Sequence, residues 1–393
     1  MKLAYVTEYD ATDVHQWSGT GLFISRALRD QGVHIEYVGP LAIHNKFWHL
    51  GKKTAYYTLR KRYLTDVQPD VARRFAEQAA EQIDRINPDI VLCPGTRPVA
   101  YLDSRQPVVL WTDSTFDGLV GFYPEFGNLS KETLRSGHDL DQLALTNCHT
   151  AIFSSQWAAN HALHHYDVSP EKLRVLPLGA NLESPPSQTF VETAIALRPK
   201  DRCSLLFIGV DWKRKGGPLA LEVARKLNEH GLKCQLHIVG PEPHDRLPEF
   251  VSTHGFLSKS NAADRDKLQR LFADSHFLIL PTVAECFGLV FAEASAYGLP
   301  SLTTDVGGIS NVVRNGQNGY RFPLDASADD YADHILKTLS NRDEYHALAC
   351  TSRAEYKKRL NWNTIGNQLK NILEEARKNK APAPSLVAEI PFT

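Results

Sequence analysis

The sequence predicts an α/β protein made of two doubly wound parallel sheets. Short apolar runs alternate with helix-length amphipathic stretches along most of the chain, and the alternation restarts beyond residue 183. The length of 393 residues exceeds one ordinary domain and suits two.

Taken in order, the first set of runs is KLAYVTEY, HIEYVGP, DIVLCPG, PVVLWTD, TAIFSS and LRVLPLG, each expected as a strand buried on both faces. Helices are expected between them, as in GLFISRALRDQG, closed by Gly32, and VARRFAEQAAEQIDRIN, closed by Asn87 and Pro88. A stretch rich in Pro, Ser and Thr follows, and then CSLLFIGV, GGPLALEVARKLNEHG, KCQLHIVG, DKLQRLFADS and HFLILP form a second set. The expected domains are 1–183 and 184–360, with a last helix over 361–379 and a loose tail over 380–393. Ligands of such sheets bind at the carboxyl ends of the strands, so motifs at strand-to-helix junctions carry most weight.

Composition excludes several classes of function. Lys and Arg number 44 against 45 Asp and Glu, which argues against bulk nucleic-acid binding. No apolar run approaches the roughly 18 residues of a membrane span, and the start MKLAYVTEYDATD lacks the apolar core of a signal peptide. Cys93, Cys148, Cys203, Cys234, Cys286 and Cys350 form no CxxC pair, which suits a reducing compartment and a cytoplasmic protein. No metal site is expected. Asp139 and Asp141 open an apparent helix, where positions i and i+2 diverge, and His161 and His165 have no third ligand. Residues 45–65 contain six Lys or Arg, five aromatics and no acid. They read as a solvated face or a loop over a cleft, with peripheral contact to an anionic membrane, at its inner face, as the second reading.

Two motifs carry chemistry. HFLILPTVAECFGLVFAEASAYGLP, residues 276–300, reads strand, loop, helix, with the helix expected from Phe287 to Tyr297. Gly288 in its first turn permits close approach, and the free N–H groups with the positive end of the helix dipole suit a diphosphate. Glu285 precedes this helix and Glu293 lies inside it, five residues beyond Gly288, or about 7.5 Å of helical rise. The two carboxylates therefore do not form a dyad sharing one proton. They either grip two ends of an elongated ligand or are an ordinary loop charge and a solvated helix residue. In FIGVDWKRKGG, residues 207–217, Arg214 and Lys215 precede two glycines and a helix. Fixed cations there would stabilise the charge that develops on a departing diphosphate. Gly19, Thr20 and Gly21 open the first helix, yet this GxG is not the GxGxxG dinucleotide fingerprint, and the second strand ends in VGP without the acid a dehydrogenase needs.

The segment around Glu285 and Glu293, with EAxAxGxP and then TDVGGISNVVRNGQNGYRF, resembles the family 4 glycosyltransferases of the GT-B fold, marked by E-x7-E. The resemblance covers essentially the whole chain. It implies two Rossmann-like domains facing a cleft and a last helix that returns to the first domain. The implied reaction is retaining transfer of a hexosyl unit from a nucleotide-diphosphate sugar to an acceptor hydroxyl, without a metal. The acceptor is a carbohydrate, a lipid-linked molecule or a small molecule. Glu285 would face the donor sugar and Glu293 the ribose hydroxyls, with backbone donors from Phe287, Gly288 and Leu289. Lys215 would hold the phosphates, and the Gly19–Gly21 loop would approach donor phosphates and acceptor. The chain departs from the family twice. Val210 stands where an arginine is usual, so Arg214 is expected to supply that charge. Thr112, before Asp113, stands where a histidine is usual on the acceptor side. The alternatives are a GT-B nucleotide-sugar epimerase, a non-catalytic nucleotide-sugar binder and a glycosidase.

Overall fold

The computed structural model describes residues 1–43, 46–241 and 246–379, so the expected tail at 380–393 lies outside the described residues, as does residue 45. The chain divides into two compact units, Met1–Leu176 with the segment from Gly366 on, and Pro177–Ile365. The division falls somewhat before the boundary expected after residue 183.

The first unit has strands β1 (Lys2–Val6), β2 (His34–Val38), β3 (Ile90–Cys93), β4 (Val108–Thr112), β5 (Thr150–Phe153) and β6 (Leu173–Val175). They pair in parallel in the order β2-β1-β3-β4-β5-β6. Helices α1 (Thr20–Asp30), α2 (Lys46–Thr58), α3 (Pro69–Ile86), α4 (Phe116–Leu119), α5 (Lys131–Asn147) and α6 (Gln156–His165) connect them. The central strands β1, β3, β4 and β5 are buried except at single end residues (Lys2, Thr112 and Thr150), with Tyr5 and Trp111 fully enclosed. The edge strands β2 and β6 depart from the expectation of burial on both faces, since each has a neighbour on one side only and keeps exposed residues such as His34 and Val175. Asn87 closes α3 in the left-handed region, as a C-terminal asparagine can.

The second unit contains α7 (Gln188–Leu197), β7 (Arg202–Ile208), α8 (Gly217–Glu229), β8 (Lys233–Val239), β9 (Val251–Thr253), α9 (Ala262–Asp274), β10 (Phe277–Leu280), α10 (Leu289–Ala296), β11 (Ser301–Thr304), α11 (Ile309–Val312), β12 (Gly319–Phe322), α12 (Ala328–Ser340) and α13 (Arg342–Arg359). Its parallel order is β12-β11-β10-β7-β8-β9. Helix α10 is buried from Phe291 to Ala296 and packs on α13, which explains why its sequence is apolar all round. It starts at Leu289 rather than Phe287, because Gly288 takes the left-handed cap position. Helix α14 (Trp362–Lys378) begins in the second unit, where Trp362 Nε1 donates to Asn181 Oδ1 at 2.9 Å. From Gly366 it belongs to the first unit, burying Leu369 and Leu373, and Lys370 Nζ donates to the carbonyl of Gln31 at 2.9 Å.

The strand orders locate the reversal points. In the first sheet the chain runs outward to β2, then returns to place β3 on the other side of β1. In the second, β8 and β9 extend from one side of β7, and β10 starts the other side. Crevices open at such switch points, at the carboxyl ends of β1 and β3 and of β7 and β10.

The Asp139–Asp141 pair sits mid-helix, not at a helix start, because Ser130 caps α5 and accepts from the amide of Thr133. Asp139 pairs with Arg135 at 3.6 Å, while Asp141 is buried and accepts from the amide of Phe116 at 2.6 Å. Burial pushes the Asp141 carboxyl up to about 6, against the pull of hydrogen bonds from Thr96 and Phe116. A raised folded value means that its favourable contribution is present below the unfolded carboxylate value and is lost as pH rises through about 6. Asp141→Asn, which keeps an acceptor without the charge, should therefore gain about 2 kcal/mol over the native protein between pH 4 and pH 7. Chemical denaturation at the two pH values checks this, and a difference independent of pH would refute it.

Candidate functional site

Within the second unit, the loops that leave β7 and β10 meet at the switch point. Two left-handed glycines make that possible. Gly216, with φ of 78°, caps α8, and a Cβ there would overlap the carbonyl of Pro281. Gly288, with φ of 85°, caps α10. Helix α8 thus starts beside the end of β10, and neither cap carries a side chain over the first-turn amides.

Hydrogen bonds join the two loops. The amide of Val283 and the hydroxyl of Thr282 donate to the carbonyl of Arg214 at 2.9 and 3.0 Å. Arg214 Nη1 donates back to the carbonyl of Ala284 at 2.9 Å. The amide of Gly308, in the TDVGG segment, donates to the carbonyl of Glu285 at 3.0 Å. These bonds set the side chains that matter. Lys215 Nζ is bound to Glu285 Oε2, and Arg214 Nη1 lies 3.9 Å from the same oxygen. Arg214 is also positioned by Asp211, which lies 3.8 Å from its Nε and accepts from its amide at 2.9 Å. Val210 is 72% exposed, so the side chain that replaces the usual arginine leaves the cluster, and Arg214 is the guanidinium present there.

Glu293 is buried, at 3% exposure, which sets aside the solvated-helix reading of that residue. A buried carboxylate needs a partner, and Lys259 Nζ supplies it by binding Glu293 Oε1. Lys259 was not expected from the sequence, because it comes from the segment between β9 and α9. The structure therefore gives two buried carboxylates, each with its own lysine, before and inside α10. Phe287 is buried and Leu289 half-buried, so both present mainly backbone at this helix start.

The first unit has its own cluster. At the end of β4, Thr112 donates to the carbonyl of Ser114 at 2.9 Å, and Asp113 accepts from Trp17 Nε1 at 3.1 Å. Trp17 and Ser18 have positive φ angles of 44° and 54°, an uncommon conformation that lies next to the Gly19–Gly21 turn. Gly19 caps α1, Thr20 is buried, and the carbonyl of Gly21 accepts from Tyr5 Oη at 2.9 Å. The Trp17 bond thus joins the glycine turn to the end of β4. At the β1/β3 switch point, Arg97 pairs with Glu8 at 2.5 Å and also with Asp66. Burial pushes the Glu8 carboxyl up, and Arg97 opposes that shift. Neither residue belongs to a sequence motif; only the strand order shows that the ends of β1 and β3 are adjacent. Among the described residues, no group of three or more His, Cys, Asp or Glu could hold a metal ion, and His161 and His165 stack with ring centroids 4.2 Å apart.

Comparison with known proteins bears on this arrangement. Residues 191–355 match the family model described as glycosyl transferases group 1. The chain is 24% identical over 259 residues to D-inositol 3-phosphate glycosyltransferase of Corynebacterium aurimucosum, covering 62% of this chain and 60% of that protein. It is 28% identical over 184 residues to the protein of the same name from Acidothermus cellulolyticus, covering 43% and 41%. The chain therefore spans 60% or less of the length of these two curated relatives. Among solved structures, sucrose-phosphate synthase from Thermosynechococcus elongatus is similar with a TM-score of 0.66 at 16% identity, over 95% of this chain and 98% of that one. An Anabaena protein solved in complex with UDP and glucose is similar with a TM-score of 0.62 at 16% identity, over 95% of this chain and all of that one, 100%. At such identities these neighbours establish a shared fold. With two doubly wound six-stranded sheets, that fold is GT-B.

The tight contact at Gly216 gives a stability test. Gly216→Ala should cost about 2–4 kcal/mol, since left-handed strain of about 1–2 kcal/mol adds to the clash with Pro281. Gly32→Ala has a similar φ of 78° but open space around its Cβ, and should lose only the strain. Equal losses in urea unfolding would show that the close approach at Gly216 carries no weight.

Proposed function

We propose, for a chain whose second unit carries a glycosyl transferases group 1 domain, that the protein transfers a hexosyl unit from a nucleotide-diphosphate sugar to an acceptor hydroxyl with retention at the anomeric carbon. The observation that carries this reading is the convergence of Lys215, Arg214 and Glu285 at the Gly288 helix start. The diphosphate would lie on the first-turn amides, where the helix dipole favours negative charge, with Lys215 and Arg214 on its oxygens. Glu285 would face the donor sugar, and Glu293 would accept from the ribose hydroxyls. A uridine nucleotide is the donor type this reading favours, since the Anabaena neighbour was solved with UDP and glucose.

The chemistry follows from charge. As the sugar–phosphate C–O bond breaks, the leaving diphosphate gains negative charge, and the acceptor oxygen forms its bond on the same face of the sugar. The acceptor proton passes to the departing phosphate oxygen. The protein's share is to orient the reactants and to stabilise the developing charge, and loss of one such contact typically costs roughly 2.7–4 kcal/mol. Two fixed cations can fill this role without a divalent metal. In the first unit, the Gly19–Gly21 turn is proposed to approach the donor phosphates and the acceptor, with Thr112 and Asp113 on the acceptor side.

Lys215→Ala and Glu285→Gln should each lower transfer by about 100-fold or more with unchanged far-UV circular dichroism. Wild-type turnover in both would overturn the assignment. Glu293→Ala should chiefly weaken donor binding, which calorimetry with UDP reads directly. Transfer should persist in EDTA, and proton NMR of the product should show the donor's anomeric configuration. Thermal shift against UDP-, GDP- and ADP-sugars checks the base, and stabilisation by a purine nucleotide alone would reverse the choice of uridine.

A further inference from the structure

Helix α2 is turned inside out. Its inward stripe at i, i+3, i+7 consists of His49, Lys52 and Tyr56, and every member makes a polar contact with the first unit. His49 bonds Tyr63 and Asp70, both at 3.0 Å, while Lys52 and Tyr56 converge on the Glu132 carboxylate. The tyrosine rings of Tyr56 and Tyr63 stack with centroids 5.5 Å apart. The outward stripe at i, i+3, i+7, i+10 is Phe47, Leu50, Thr54 and Tyr57, flanked by Trp48 and followed by Leu59. Phe47 is 92% exposed and Tyr57 81%, in a helix that folding elsewhere would seat by its apolar face. Polar bonds fix which way the helix faces and leave its aromatics turned outward.

Charge says what covers that face. No Asp or Glu occurs from Tyr37 to Thr65, although the whole chain is balanced at a net charge of -1. Lys52 is matched by Glu132, but Lys61 and Arg62 donate to neutral oxygens, those of Asn128 and Pro124, and Lys53 and Arg60 project from the exposed side. Basic side chains beside exposed Trp, Phe, Tyr and Leu suit the boundary between anionic headgroups and acyl chains, where an aromatic ring has one end wet and one end apolar. A second copy of the same face would set these cations against their own counterparts.

We propose that α2 and the following residues to Arg62 dock the protein on an anionic lipid bilayer, with Phe47, Trp48, Leu50, Tyr57 and Leu59 entering the interface and Lys53, Arg60 and Lys61 on the headgroups. This is a surface separate from the carboxylate–lysine pairs of the second unit and stands or falls independently of them. The test is flotation of the full chain with vesicles of equimolar phosphatidylglycerol and phosphatidylcholine, against phosphatidylcholine alone. The native protein should float with the anionic vesicles, less so at high salt, and remain below with the neutral ones. The Phe47→Ser, Trp48→Ser double variant should lose binding at an unchanged unfolding midpoint, since both side chains are exposed. Lys53→Glu with Lys61→Glu should weaken partition by more than about tenfold, given about fivefold for each cation near such a surface. Three results would overturn the proposal: no flotation of the native protein, equal flotation of the serine variant, or self-association without lipid that the serine variant abolishes.

Discussion

The second unit depends on one close approach, the left-handed Gly216 against the carbonyl of Pro281. A parallel sheet places successive strand ends on one edge, and only where the winding reverses do two loops leave neighbouring strands without a helix between them. Here those strands are β7 and β10. Because Gly216 admits the Pro281 backbone, α8 can begin directly beside the loop that leads into α10. The loops then bond to each other through Arg214, Thr282, Val283 and Ala284. Positions 70 residues apart in sequence, Lys215 and Glu285, consequently share one contact.

Buried charge shapes the rest of that region. Glu285 and Glu293 both lose most of their water, a large cost for an ion without a partner. Each meets the cost with a different lysine, so the carboxylates remain separate rather than coupling as an acid–base pair. That separation favours two recognition points along an extended ligand over the single flanked bond of a glycosidase. It also accounts for an apolar helix holding a glutamate: α10 is enclosed on every side, and Glu293 is tolerated because Lys259 reaches it from the segment before α9.

The first unit repeats the same architecture with different content. Its switch point holds Glu8 with Arg97, while the glycine turn at the start of α1 is linked through Trp17 to Asp113 at the end of β4. Positive φ at Trp17 and Ser18 sets this turn apart from an ordinary helix start. Two non-glycine residues in that conformation cost energy that neighbouring contacts must offset.

Sequence alone determined the fold class and showed which residues stand at the strand-to-helix junctions of the second unit. These follow from local physics: alternation of buried strands and amphipathic helices, glycines where the backbone turns left-handed, and cations next to a helix amino end. It also marked residues 45–65 as basic and aromatic. Tertiary structure decided what is non-local. Lys259 as the partner of Glu293, and Arg97 as the partner of Glu8, depend on strand order, which no sequence period encodes. Whether Glu293 was solvated or enclosed turned on what packs around α10, and the outward direction of Phe47 and Tyr57 turned on the bonds of His49, Lys52 and Tyr56 to residues beyond the helix. A period in the sequence shows which residues share a face; only the neighbours that the folded chain brings there decide which face turns inward.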